Sequence, residues 1–379
     1  MNATHTQPPP TAPPARDEAQ AILTINLGAL VDNWRALSRR CGAAECAAVV
    51  KADAYGIGLE PAVQALSQAG CRTFFVAHAS EARRTRAALG ENAARIYVLN
   101  GLLATADVAH SLIASNATPI IGSLEEWSAW RTFAPGRPCA LHIDTGMNRL
   151  GASADEARMI AADASADAIE LVMSHFVASE ESHNALNGTQ IDAFNSVRSL
   201  FANARASIAN SSGIMLAAIP HYDLVRPGYA LYGGNPSPGA PNPMKPVVTL
   251  EATILRVRPI KAGETVGYNA TWTAPRDSVL AAVGVGYADG LLRSASAAYG
   301  ARGGEVIIGD VRCPIVGRVS MDITVIDATD AAQNALAPGA TAELLGEEIT
   351  VDDLAERAGT IGYEILTSLG RRYHRIYVR

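Results

Sequence analysis

From about residue 45 the chain repeats one pattern: a short apolar run, a polar turn, then a longer stretch with apolar residues at helical spacing. The runs fall at 47–50, 73–77, 96–99, 119–121, 141–143, 171–173 and 224–225, with a weaker candidate near 214–217. Between them lie alanine-rich segments of period 3.6, such as 61–69 and 155–164. An apolar run without alternation suits a parallel strand covered on both faces, and each helix supplies the crossover that parallel strands need. Eight such units over residues 28–245 predict an N-terminal (β/α)8 barrel of the TIM type better than an open sheet.

The pattern then changes. Residues 235–243 hold four prolines and a glycine, a breaker-rich linker. Beyond it come strand-like alternations at 249–257, 278–285, 305–308 and 322–326, so residues 246–379 are expected to form a mostly-β C-terminal domain. The segment 21–27 also reads as a strand and is expected to join that sheet. Residues 1–20 are rich in proline and are expected to be a disordered tail. The full length of 379 residues accommodates two domains of this kind.

Composition narrows the chemistry. A formal net charge of -6 with no basic excess gives no footprint for nucleic acid. No apolar run reaches the roughly 20 residues that span a bilayer. The five cysteines (Cys41, Cys46, Cys71, Cys139 and Cys313) are scattered without a CxxC pair, which suits a reducing compartment. The N-terminus lacks the apolar core of a signal peptide, so the expected location is the cytoplasm. The sequence carries no HExxH, no GxSxG elbow and no Walker A loop. Gly284-Val285-Gly286 lacks the setting of a dinucleotide fingerprint, and the eight histidines have no close ligand spacing, so neither NAD nor a metal is expected.

The sharpest local signal is Val49-Val50-Lys51-Ala52-Asp53-Ala54-Tyr55-Gly56, which places a lysine directly after the first barrel strand. Side chains at the C-terminal ends of barrel strands line the active-site mouth. Burial there disfavours the ammonium, and a neutral amine is what a Schiff base with an aldehyde cofactor requires. On position alone, a surface lysine at a strand end is the better description.

The segment resembles the cofactor-lysine region of the alanine racemase family, and the resemblance continues in order along the chain. His142-Ile143-Asp144-Thr145-Gly146-Met147-Asn148-Arg149-Leu150-Gly151 is similar to the family's Asp-Thr-Gly segment, and Ser174-His175-Phe176 to its histidine strand end. Ala209-Asn210-Ser211 and Val225-Arg226-Pro227-Gly228-Tyr229 follow. In the second half, Val266-Gly267-Tyr268, Gly286-Tyr287-Ala288-Asp289-Gly290, Ser320-Met321-Asp322 and Gly362-Tyr363-Glu364 complete the set. Each segment alone has little specificity; together, in order over residues 21–379, they identify the chain as a family member.

The resemblance implies pyridoxal 5'-phosphate as cofactor and interconversion of L- and D-alanine by two bases, Lys51 on one face of the α-carbon and Tyr268 on the other. It further implies that Arg226 faces the pyridine nitrogen. Because a guanidinium keeps its proton, the ring nitrogen would stay unprotonated and side reactions would be limited. Tyr55, Ser211, Tyr363 and backbone N–H groups near Gly228 and Tyr229 would bind phosphate, with His175 packed beside the ring and Asn210 in the same segment. Arg149 would lower the Tyr268 hydroxyl toward neutral pH, Met321 and Asp322 would reach into the site of a partner copy in a homodimer, and Tyr287 would stand at the access route. Without the resemblance, Tyr268 reads as a solvent-facing strand tyrosine, Arg226 as a partner of an acid such as Asp223, Ser211 as a helix cap and Met321 as core filler.

Three positions depart from the family. Some members carry a carbamylated lysine where this chain has His142, many carry histidine at Ile57, and many have a histidine supporting the arginine where this chain has Ser207. The expected role is D-alanine supply for peptidoglycan. The competing readings are a decarboxylase on the same plan, against which Arg226 argues; a non-catalytic cofactor carrier, which would end where the linker begins; and a racemase of broader specificity, for example one accepting serine.

Overall fold

The computed structural model describes residues 14–103, 105–217, 219–297 and 302–379. The described residues divide into two compact units, one within 26–247 with 378–379, the other within 14–25 with 248–377.

In the first unit a parallel ladder runs through Ala48–Val49, Thr73–Val76, Arg95–Val98, Thr118–Ile121, Cys139–His142, Ile169–Met173 and Arg205–Ser207, in sequence order. Leu224–Val225 pairs in parallel with Glu45–Cys46, the first part of the Ala48–Val49 strand. Backbone bonds from Asp223 N to Ala206 O and from Arg226 N to Ala209 O join it to the seventh strand, which closes the barrel. Strand residues such as Phe74, Leu141, Leu171 and Val225 are all without solvent exposure. Helices such as Leu59–Ala69 and Ala154–Ala161 cover the outside, the latter opened by a capping box of Ser153 and Glu156.

One expected strand is misplaced. Residues 211–215 are not a strand: the Asn210 side chain accepts from Gly213 N at 2.8 Å and caps the short helix Ser211–Met215. The seventh strand is instead Arg205–Ser207, whose three residues include an arginine and a serine and therefore show no apolar run.

The second unit is built on the long strand Val248–Ile260, which bends at a register shift between Ile254 and Arg256 and changes partners there. Its first half lies between Ala21–Asn26 and Thr341–Leu345; its second half pairs with Ser278–Val283, which in turn pairs with Thr324–Asp327. Of the expected N-terminal tail, residues 1–13 lie outside the described residues. Residues 14–20 form a turn, and Gln20 O accepts from Thr253 N at 2.8 Å.

Candidate active site

Five of the sequence-identified residues sit at or just past the C-terminal ends of barrel strands. Lys51 follows Ala48–Val49, His175 follows Ile169–Met173, Asn210 and Ser211 follow Arg205–Ser207, and Arg226 follows Leu224–Val225. Lys51, Asn100, His142, Arg149, Met173 and His175 line a cavity of about 460 Å³.

The backbone after Lys51 is unusual. Ala52, Asp53, Ala54 and Tyr55 all have φ between 53° and 55°, four consecutive left-handed residues without a glycine. At roughly 1 kcal/mol or more per residue, this turn is disfavoured by on the order of 4 kcal/mol and needs outside support. Glu81 gives part of it, accepting from Ala52 N at 2.7 Å, while Asp53 Oδ1 accepts from Leu59 N at 3.2 Å and pairs with Arg84. The turn leaves the Lys51 amine in the cavity, where burial first and Arg149 second lower its pKa below the ordinary lysine range. A neutral amine is therefore more accessible here than on the surface.

Arg149 is carried by a loop that one carboxylate organises. Asp144 Oδ1 accepts from Gly146 N and Met147 N, both at 2.9 Å, and Asp144 Oδ2 from Asn148 N at 3.0 Å. Gly151, at φ 110°, closes the loop so tightly that a Cβ there would lie 2.7 Å from Asp144 N. His142 is buried, and burial first, then Arg226, pulls its pKa down to about 4, so the imidazole at this position is neutral at pH 7. His175 is likewise pushed well below the usual histidine range, by burial and then by Arg226.

Arg226 is 4% exposed and has no carboxylate partner among the described residues. Its guanidinium donates to Ser207 Oγ at 2.5 Å and Ser174 O at 2.6 Å, and lies 3.4 Å from His175 Nδ1. The alternative pairing with Asp223 is not made: Asp223 Oδ2 accepts from Ala206 N at 2.8 Å. Burial lowers the Arg226 pKa to about 9, which leaves it a cation at neutral pH. A desolvated cation held only by neutral acceptors favours a ligand with a lone pair or negative charge. Ser207 relays this contact, its hydroxyl donating to Leu224 O at 2.6 Å. The sequence marks Ser207 only as a departure; its contact with Arg226 is visible only in the structure.

A second cluster joins Tyr55, Ser211 and Gly228. Ser211 Oγ accepts from Gly228 N at 3.0 Å and from Ala230 N at 3.2 Å, so it is not the helix cap, a role that falls to Asn210. The Tyr55 ring stacks on Tyr232 with centroids 4.5 Å apart, and a Cβ on Gly228 would lie 2.2 Å from Tyr55 Oη. Tyr229 is buried in the same segment. Tyr232, not singled out by sequence, fixes this ring and donates from its hydroxyl to Val49 O at 2.8 Å. Its signal was the repeated tyrosine of the 229–232 turn.

The remaining expected residues belong to the second unit. Tyr268 stands at the tip of the hairpin Thr265–Val266 and Trp272–Thr273, whose Val266 and Trp272 anchor on a cluster with Ile260, Leu280 and Val316. Its side chain is 67% exposed. Tyr287 and Met321 are adjacent: Tyr287 N donates to Ser320 O and Ala288 N to Met321 O, both at 3.0 Å, and Gly286 has no room for a Cβ against Met321 O. Met321 is 53% exposed rather than core filler, and Asp322 is paired with Arg372 at 2.8 Å. Tyr363 lies in the first turn of helix Gly362–Thr367.

Comparison with known proteins agrees over nearly the whole chain. Residues 25–236 match the family model described as alanine racemase, N-terminal domain, and residues 247–377 its C-terminal domain. A protein of Methylobacterium sp. (strain 4-46) named alanine racemase is 51% identical over 364 residues, covering 94% of this chain and 98% of that one. A solved structure of alanine racemase from Bartonella henselae, described with covalently bound pyridoxal phosphate, superposes with a TM-score of 0.88 at 38% identity, covering 95% of this chain and all of that chain. The biosynthetic alanine racemase of Pseudomonas aeruginosa gives 0.87 at 31% identity, covering 95% of this chain and 100% of that one.

Proposed function

The chain belongs to the alanine racemase family, and on that premise we propose that it interconverts L- and D-alanine with pyridoxal phosphate, using Lys51 and Tyr268 as its two bases. The observation that carries the reading is a cavity-lining lysine with a lowered pKa together with the buried, carboxylate-free Arg226, whose guanidinium lies 3.4 Å from Nδ1 of the cavity-lining His175. The residues suit the cofactor. An amine is available for its aldehyde, Arg226 is a fixed donor suited to an unprotonated ring nitrogen, and Ser211, Tyr55 and the backbone at Gly228 and Tyr229 form a polar cradle suited to a phosphate, with Asn210 shaping the turn. Pyridoxal phosphate, when bound, withdraws electrons from the amino-acid α-carbon and so makes its proton removable.

Lys51 Nζ, as a neutral amine, would accept or return the α-proton on one face. Tyr268 Oη exchanges a proton on the other, so that inversion requires one base to be deprotonated while the other carries a proton. Arg226, a buried cation that keeps its proton, would face the ring nitrogen of the cofactor and leave it unprotonated. His175 would pack beside the cofactor, Arg149 would orient the substrate, and Tyr363 would add a hydroxyl toward the phosphate. Met321 would offer its backbone N–H to the substrate carboxylate, with Asp322 helping to complete the site of a partner copy and Tyr287 at the access route. The exposure of Tyr268 and Met321 supports a homodimer in which a second copy covers them. The five free, buried thiols support the cytoplasm, and the product is D-alanine for peptidoglycan. Among the described residues no helix is long and apolar enough to cross a membrane.

The test is chiral analysis of alanine after incubation of the protein with either enantiomer, in parent, Lys51→Ala and Tyr268→Phe. The parent should reach equal amounts from both sides. Each variant should lose roughly 10²–10⁴-fold in racemisation, the share that general acid–base catalysis supplies. A parent that leaves both enantiomers unchanged overturns the activity, and a Tyr268→Phe variant at full rate overturns the two-base assignment.

A further inference from the structure

The four left-handed residues after Lys51 require a support, and Glu81 lies 29 positions away at the start of the helix Ala79–Leu89. Its carboxylate is split between two loops. Oε1 accepts from Ala52 N at 2.7 Å, and Oε2 accepts from Ala77 N at 2.7 Å and His78 N at 3.3 Å. Ala52 is the residue next to the cofactor lysine of the proposed function, and Tyr55 closes the same turn.

The same device recurs around the barrel mouth. Glu126, in the first turn of helix Leu124–Phe133, accepts from Gly122 N at 2.6 Å and from Leu102 N in the preceding loop at 3.0 Å. Glu156, in the first turn of Ala154–Ala161, accepts from Ser153 N at 2.8 Å and from Leu124 N in the preceding unit at 3.4 Å. In each case one carboxylate ties the start of its own helix to the loop of the neighbouring unit. Of these three carboxylates Glu81 is the one tied to the lysine turn, and Arg84 of the same helix pairs with Asp53 in that turn.

We propose that Glu81 is the positioning residue of Lys51: its two-loop brace holds the turn 52–55 so that the Lys51 amine and the Tyr55 hydroxyl face the same bound group. The assignment rests on the reading of Lys51 as the cofactor lysine. A carboxylate bridging two N–H groups is suited to this because both bonds are charge-assisted and fix the two loops to each other. An amide at this position keeps one acceptor oxygen but turns an NH₂ toward a second N–H, so it supplies half of the brace.

The experiment uses the full chain in four forms: parent, Glu81→Gln, Glu81→Ala and Glu156→Gln as a brace of the same kind away from the lysine. Backbone amide exchange of the segment 51–57 is measured without cofactor. The absorbance near 420 nm and the rate of pyridoxal phosphate release are measured after loading. Glu81→Ala should speed exchange in 52–55 and cofactor release by at least about tenfold, the loss of one charge-assisted bond, and should weaken the 420 nm band. Glu81→Gln should fall between it and the parent. Glu156→Gln should leave exchange in 52–55, release and band unchanged.

Should Glu81→Ala not fold, Glu81→Gln carries the comparison by itself. Unchanged exchange in the Glu81 variants would overturn the brace. Faster exchange with unchanged release and band would make Glu81 a structural residue only and would equally overturn the proposal. A parent that takes up no pyridoxal phosphate would sink the functional reading, whereas the exchange measurement judges the brace without cofactor.

Discussion

Removal of the Ser207 hydroxyl is the sharpest test of how the barrel tolerates a buried cation. Ser207 is fully buried, accepts from Arg226 at 2.5 Å and donates to Leu224 O at 2.6 Å. Ser207→Ala removes an acceptor from a charged donor, a loss of about 1.5–3 kcal/mol, and orphans a buried carbonyl at about 1 kcal/mol more. Of the remaining partners of Arg226, Ser174 O at 2.6 Å and Ile208 O at 3.4 Å are backbone atoms that cannot rotate to compensate, and His175 Nδ1 lies at 3.4 Å. The expected destabilisation of the barrel unit is therefore about 2.5–4 kcal/mol. Urea unfolding followed by tryptophan fluorescence reads it, because the buried Trp34, Trp127 and Trp130 all lie in that unit. With a slope of roughly 3 kcal/mol per molar for a chain of this size, the midpoint should fall by about 1 M. Ser207→Cys, nearly isosteric with weaker hydrogen bonding, should lie between the two. A Ser207→Ala variant within about 0.5 kcal/mol of the parent would refute the claim that neutral acceptors hold this guanidinium in place.

Two further outcomes follow from the geometry. The folded-state pKa of His142, about 4, lies below the ordinary 6.5, so the unfolded chain binds the proton first as pH falls. The stability this site contributes is complete above pH 6.5 and is lost between there and pH 4, by about 2 kcal/mol on going from pH 7.5 to 5. Urea midpoints at the two pH values should show a loss smaller by that amount in His142→Gln, and equal losses would contradict a buried neutral imidazole. Gly228→Ala places a methyl 2.2 Å from Tyr55 Oη, so it should weaken pyridoxal phosphate binding by tenfold or more, with partial recovery in the Gly228→Ala/Tyr55→Phe double variant. Titration of cofactor absorbance checks both, and an unaffected single variant would remove Gly228 from the cradle.

The sequence by itself determined the architecture and marked the candidate groups of the proposed function. Apolar runs such as 73–77 and 141–143 are dictated by burial on both faces, and that requirement writes itself locally, within four or five residues. The proline-rich linker at 235–243 and the alternation after it mark the change to a β-rich half for the same reason. Lys51, Arg226 and Tyr268 stood out as candidates because their segments follow one another in the order the family resemblance requires. Arg205–Ser207 was not legible as a strand, because three residues with two polar side chains carry no periodic signal.

Tertiary structure decided what surrounds those groups. Whether Arg226 meets Asp223 or Ser207 depends on which side chains face it across the barrel, and both acids and hydroxyls were near in sequence. The left-handed turn after Lys51 is stabilised by a carboxylate 29 residues away, and the neutral state of His142 follows from burial that no neighbouring residue announces. Periodicity records contacts within an element, whereas hydrogen bonds and desolvation at the barrel mouth depend on groups brought together only when the ladder closes.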